Sequence, residues 1–305
     1  MGKRQPSDKV QKKRQAAGAG PPPIVRLLRR IPPPLAVHGS IIVLVLVIGA
    51  LGAVMISRYV EGSKDYHIRK LQLVDLPSWC PPDLVAQLQG VPSRLGRASI
   101  YDRTVNERVA ALYRANPWVR RVVSVRKRFP GTLVVKLEVR QPRFAVERRG
   151  GRWVIDREAA VLPLQQGQWP QVTAGLRCIW GVKTPPPQPG QPWRDAALAG
   201  GIETLELLES RPKIVTQFGI AGVDVSNYGG AVDRNASDID IVAANNCRIA
   251  WGRPPSTDKF GELPPERKLE CLESVLQKYP QPRDMKLNVR FADAGGGIIP
   301  NKTVR

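Results

Sequence analysis

The sequence predicts an α+β protein. It has one apolar helix near the N-terminus, then a strand–helix–helix–strand–strand module, then a larger β-rich module of mixed α/β character. Three observations predict this. An uncharged run extends from Leu35 to Ile56, strict alternation of apolar and polar residues marks 132–139, and short apolar runs set off by Gly and Pro recur beyond Pro142.

The apolar run comes first. Its 22 residues span about 33 Å as a helix, enough to cross a bilayer. It is longer than a signal-peptide core of about 7–15 residues, and a soluble helix is rarely apolar on every face. We place a transmembrane helix at 35–57. The preceding 34 residues carry nine Lys/Arg against one acid, Asp8, with Pro21-Pro22-Pro23 and Pro32-Pro33-Pro34. That composition predicts a disordered basic tail, held in the cytoplasm by its charge and attracted to anionic lipid. Nearly all the remaining mass is then extracytoplasmic, although Arg58, Lys64, Arg69 and Lys70 follow the span closely.

Of 47 Lys+Arg and 26 Asp+Glu, 38 and 25 lie beyond residue 34. In an exported domain such an excess points to a solvated surface, anionic lipid or wall polymer, and nucleic acid is not expected as a partner. Cys80, Cys178, Cys247 and Cys271 form no C-x-x-C pair, and the only histidines are His38 and His67. A zinc site is therefore not expected. An exported compartment permits disulfides, and four cysteines allow three complete pairings or free buried thiols.

The first module occupies 66–142. Leu71 and Leu73 alternate with Lys70 and Gln72 as in a half-buried strand. Pro81-Pro82-Asp83 opens a helix carrying Leu84, Val85 and Leu88, with Gly90 as its stop. A second helix begins near Thr104, which has capping-box spacing to Glu107, and aligns Val105, Val109, Leu112 and Tyr113 on one face before Pro117. Two strands follow around the Pro130-Gly131 turn. The second strictly alternates Leu133, Val135, Leu137 and Val139 with Thr132, Val134, Lys136 and Glu138, whereas the first, with Val123 and Val125 opposite Arg126 and Arg128, alternates weakly.

The block Asn116-Pro117-Trp118-Val119-Arg120-Arg121-Val122-Val123-Ser124-Val125-Arg126-Lys127-Arg128-Phe129-Pro130-Gly131-Thr132-Leu133 resembles the end of a POTRA domain. Its continuation through Val135, Leu137 and Val139 to Arg140-Gln141-Pro142 is similar to the FtsQ/DivIB cell-division family. The resemblance implies a basic cytoplasmic tail, one span, a POTRA domain and a second β domain, which is placed here at 143–300, leaving 301–305 as a short tail.

In that second module, Phe144-Ala145-Val146 and Trp153-Val154-Ile155 flank Gly150-Gly151 as in a hairpin. Asp156 and Val161-Leu162-Pro163 resemble the family's entry to the β domain, with Ala159-Ala160 where a Gly is expected, and Trp169 to Leu176 resembles its next strand and turn. The Pro- and Gln-rich segment 183–193 reads as an exposed loop. A helix is expected over about 195–210, weakened by Gly200-Gly201. Strands are expected at Ile239-Asp240-Ile241 and Cys247 to Trp251, then a Gly252-Arg253 turn similar to the family's and a helix over about 265–278. The closing segment Met285-Lys286-Leu287-Asn288-Val289-Arg290-Phe291 is similar to the family's last conserved strand, with Asn288 in place of Asp and Phe291 in place of Tyr.

No catalytic constellation is visible. Neither histidine is placed to serve a distant Ser or Cys, and Gly295-Gly296-Gly297 lacks the Lys and helix of a phosphate loop. No enzyme activity, cofactor or metal is expected. An open sheet edge, by contrast, can take up a partner strand. The resemblance places that edge at Leu287, Val289, Arg290 and Phe291, with Ile298 and Ile299 beyond, and makes Phe291 an apolar anchor. Because alternate strand residues face opposite ways, Val289 and Phe291 fit a core role as well. Trp118 and Arg120 are a second candidate contact, and a core Trp and a solvated Arg fit the same positions. The family implies a non-enzymatic division scaffold at the septal inner membrane, joined to FtsB/FtsL-type single-span proteins and the septal peptidoglycan synthase complex. One rival is a POTRA-type chaperone or transport component, which calls for repeated modules or a barrel, and the chain shows neither barrel-length alternation nor a second such module. The other is a membrane-anchored cell-wall enzyme.

Overall fold

A computed structural model describes residues 33–62, 66–91, 98–165, 167–257, 261–291 and 299–300. The expected tail up to residue 32, the Gly295–Gly297 run, Ile298 and residues 301–305 lie outside the described residues. Two compact units divide at Ser63.

The first unit contains α1 (Pro33–Gly62). Its stretch Gly39–Tyr59 is long and apolar enough to cross a membrane. Side chains from Ile41 to Ile56, such as Leu46 and Met55, are exposed on all faces, as an all-round apolar helix requires when lipid is its solvent. The helix starts two residues before the expected span and ends five after it, because nothing from Ser57 to Glu61 breaks helical geometry before Gly62.

The second unit is mixed α+β. It opens with β1 (Lys70–Val74), α2 (Pro82–Gly90), α3 (Val105–Arg114), β2 (Val119–Arg128) and β3 (Thr132–Val139), in the expected order. The strands form a sheet ordered β1-β3-β2, β3 being parallel to β1 and antiparallel to β2. Leu133, Val135 and Leu137 of β3 are buried beneath Leu84 and Leu88 of α2 and Val105, Val109 and Tyr113 of α3. The Tyr113 hydroxyl donates to Leu88 O at 2.9 Å, tying the two helices together. The weak alternation of β2 has a physical cause: register breaks between Val119 and Arg121 and between Val122 and Ser124 shift its phase. The capping box does not form. Instead the Asp102 carboxylate accepts from the Thr104 amide and hydroxyl, both at 2.8 Å, which holds the carboxyl below its usual range.

An eight-stranded sheet follows, ordered β11-β10-β9-β8-β7-β6-β4-β5. Its strands are β4 (Phe144–Arg148), β5 (Gly151–Ile155), β6 (Arg177–Trp180), β7 (Ile220–Asp224), β8 (Ile239–Ala243), β9 (Arg248–Gly252), β10 (Met285–Asn288) and β11 (Ile299–Pro300). Among the described residues four α-helices intervene: α4 (Pro170–Thr173), α5 (Ala196–Glu209), α6 (Pro212–Phe218) and α7 (Pro265–Lys278). In α2, α4, α6 and α7 proline occupies the first turn, where its missing N–H costs no hydrogen bond. The segment resembling a strand near Trp169 is α4 followed by β6, because Pro170 starts a helical turn. Helix α5 is capped by Asp195, which accepts from Leu198 N at 2.9 Å. Its glycines permit close packing: a Cβ at Gly200 would meet Pro254 Cγ at 2.7 Å, and one at Gly201 would press on Ile179 and Val225 at 3.2 Å. The loop 183–193 is mostly exposed but anchored by buried Trp193.

The two sheets share apolar contacts. Trp118 and Trp169 lie with ring centroids 5.1 Å apart, and Val154 and Leu162 join the core of the first module. Trp118 is 2% exposed, so Trp118→Ala is expected to cost about 3–5 kcal/mol of unfolding free energy. Urea denaturation of the full chain in detergent checks this, and a loss under about 1 kcal/mol would contradict the shared core.

Candidate functional site

The two ends of the eight-stranded sheet are finished differently. At the β5 end, Leu162 N donates to Val154 O at 2.8 Å and Val161 bridges to Ile155, so the following chain covers the edge. At the other end, the described pairs of β11 with β10 are Met285↔Pro300 and Lys286↔Ile299. Pro300, lacking an N–H, adds no donor to this outermost strand.

The register shows what lies beyond those two pairs. Strand β10 runs parallel to β9, and Val289 N donates to Ala250 O at 3.2 Å. In a parallel ladder the N–H and C=O of one residue point to the same side and alternate along the strand. Leu287 and Val289 therefore turn their backbone groups toward β9, while Asn288 and Arg290 turn theirs outward. Arg290 is already satisfied: its N–H donates to Asn288 Oδ1 at 3.1 Å and its carbonyl accepts from Leu263 N at 2.7 Å. Asn288 turns its outward backbone groups to the side of β10 on which β11 lies.

The side chains sort likewise. Leu287 and Val289 are 4% and 3% exposed and belong to the sheet's core, so they offer a partner no surface. Phe291 is 43% exposed at this end of the sheet. The Arg290 guanidinium lies 4.9 Å from its ring centroid, and Arg290 Nη1 donates to Asn235 O at 2.9 Å, so this cation holds the aromatic ring in place. Ile299 is on β11, and Ile298 lies outside the described residues. Trp118 is in the core shared by the two sheets. Arg120 is half-exposed and paired with Glu158 and, at 3.8 Å, Glu138. The structure thus brings Arg290, Phe291 and Ile299 to one sheet end and sets Trp118 and Arg120 apart on the first module.

A buried ion pair supports the edge. Lys268 Nζ lies 3.1 Å from Glu262 Oε2, with both side chains about 5% exposed or less, and 5.1 Å from the Trp251 ring centroid. Glu262 also accepts from Arg253 N at 3.2 Å and immediately precedes Leu263, whose amide covers Arg290. Gly252 in the same turn has φ +98°, and a side chain there would collide with the Glu262 carboxylate. The pair leaves little sign in the sequence, because the i,i+6 spacing of acid and base is not a helical one.

Between the two sheets lies a groove of about 810 Å³. Its charges neutralise one another: Arg140 pairs with Asp156 at 2.5 Å and Glu158 at 3.2 Å, Arg143 with Glu209, and Arg157 with Glu206 at 2.6 Å. Hydrogen bonding from Arg120 leads the effects that hold Glu158 below its usual pKa, so this carboxylate carries no proton to donate at neutral pH. The four cysteines are free thiols. Burial, with the charge of Glu147, pushes Cys178 up to about 12, leaving it unreactive at neutral pH. The described residues hold no group of three or more potential metal ligands.

No protein-family model matches the chain, and neither does any curated protein.

Burial pushes the Lys268 ammonium below its ordinary value of 10.5 in spite of Glu262. Between those two values the unfolded chain binds more protons, so this group's contribution to stability rises as pH rises through that window. Lys268→Met strands the Glu262 carboxylate and is expected to cost about 3–5 kcal/mol, most of it recovered in Lys268→Met/Glu262→Gln. Chemical denaturation of the three chains measures this, and equal losses in the single and double variants would contradict the pairing.

Proposed function

We propose that the protein is a non-enzymatic, single-span membrane scaffold of the bacterial division machinery that binds its partners by strand addition. On this reading α1 anchors the chain in the inner membrane with the N-terminus cytoplasmic. The first module is POTRA-like, and the eight-stranded sheet corresponds to the FtsQ/DivIB-type β domain. The observation that carries the binding mode is the exposed Phe291 ring, held by Arg290 just past β10 at one end of the eight-stranded sheet.

A partner strand added at this end of the sheet gains backbone hydrogen bonds and buries the Phe291 ring. Small single-span proteins of the FtsB/FtsL type fit this role, because a shared bilayer raises their effective concentration at the edge. The septal wall synthase complex would be recruited through them. The family resemblance in 116–142 and 247–299 supplies the cellular setting, and the strand–helix–helix–strand–strand order supports it.

Phe291→Lys is expected to weaken capture of such partners from solubilised membranes by about 30-fold or more, the scale of an interfacial aromatic hot spot. Because Phe291 is half-exposed, near-UV circular dichroism and the unfolding midpoint should not change. Undiminished capture would move the binding face elsewhere, and capture of no division protein by either chain would contradict the scaffold reading.

A further inference from the structure

One end of the three-stranded sheet carries a second surface. Three segments converge there. Ile100 N donates to Tyr66 O at 2.8 Å, Ile68 N to Ala98 O at 3.0 Å, and Arg69 N to Gly131 O at 2.9 Å, while Lys127 Nζ reaches Asp102 O at 2.7 Å. The registers Lys70↔Thr132 and Arg128↔Thr132 put all three strands in one row at this end.

Three aromatic rings stack along it. Tyr66 and Tyr101 meet edge-on with centroids 5.0 Å apart, and Tyr101 and Phe129 lie 5.4 Å apart. They are not core residues: Tyr101 is 39% exposed and Phe129 58%. The same segments, 66–70, 98–103 and 126–131, carry six cations, namely Arg69, Lys70, Arg103, Arg126, Lys127 and Arg128, and all but Lys127 are exposed. Their one acid, Asp102, is engaged by Thr104 and Arg108.

Exposed aromatic rings ringed by cations match the headgroup layer of an anionic bilayer, where Tyr and Trp concentrate and each Lys or Arg adds attraction. The chain's continuity selects that occupant over a soluble one, because Tyr66 follows the last residue of α1, Gly62, by four positions. We infer that the Tyr66–Tyr101–Phe129 cluster and its basic rim form a membrane-docking surface that rests on the anionic leaflet into which α1 is anchored. This rests on the reading of α1 as a membrane span. Docking there would limit the pivoting of the whole second unit on its anchor, and would make its orientation sensitive to lipid charge and salt.

The test uses the full chain reconstituted into vesicles of phosphatidylcholine with about 30% phosphatidylglycerol, carrying a photo-crosslinker as Phe129→p-benzoylphenylalanine. A matched chain carries it as Val232→p-benzoylphenylalanine, on a residue 76% exposed in the loop before β8. Mass spectrometry is expected to find lipid adducts at 129 at least about fivefold above 232, reduced about tenfold in Arg126→Ser/Arg128→Ser and reduced in high salt. Equal yields at the two positions, adducts to protein instead of lipid, or yields unchanged in pure phosphatidylcholine would each overturn the inference. Carbonate extraction separates the two readings: a chain that stays in the vesicles without a lipid adduct at 129 refutes only the docking surface, and a chain that is released refutes the span as well.

Discussion

An open β-sheet has to stop, and every backbone N–H and C=O on its last strand must then find a partner or water. This constraint organises the second unit. The hairpin side is closed by the chain returning along β5 through Val161 and Leu162. On the far side, the described residues bring β11 onto β10, Leu263 onto Arg290, and the Asn288 side chain onto the Arg290 amide. At that end of the sheet the Phe291 ring stays exposed beside buried Leu287 and Val289, and this is the physical basis for reading the protein as a binder.

Rigidity at this end of the sheet comes from unlike sources. Burial of Leu287 and Val289 fixes the phase of β10, so the outward groups cannot exchange faces with the core without losing both side chains from it. The Lys268–Glu262 pair then joins α7 to the Gly252-Arg253 turn and to Leu263. A buried ion pair of this kind adds little net stability, because desolvation offsets most of its attraction. Its effect is positional. At the other sheet, the Trp118–Trp169 contact and the Arg140–Asp156 pair set the first module against the second, so the Phe291 edge and the aromatic end at Phe129 belong to one folded body.

Most of this architecture was legible wherever one residue period ran uninterrupted. Strand β3 alternates without a break, and α7 places Leu269, Leu272, Val275 and Leu276 on one face, so both match their expected bounds closely. Strand β2 was faint because register breaks interrupt its period, and Thr104–Glu107 mimicked a capping box that Asp102 replaces. Helix α6 and strand β7, seven and five residues long, are too short for periodicity to declare them. The closing edge was legible in location but not in phase. Strand parity puts Leu287, Val289 and Phe291 on one face, yet the first two are buried and Phe291 emerges, because the regular strand ends at Asn288. Trp118 and Arg120 looked available only because sequence does not show Trp169 and Glu158 waiting for them.

The most direct test of the central claim is a photo-crosslinking scan in growing cells. A crosslinking residue is introduced into the full-length chain at Asn288, at Phe291 and, for comparison, at Tyr279, which is 42% exposed near the end of α7. Strand addition predicts that Asn288 and Phe291 both yield adducts to one small single-span membrane protein, and that Tyr279 yields none. Adducts at Tyr279 alone, or none at Asn288 while Phe291 still reacts, would contradict the account of a partner strand completing the sheet.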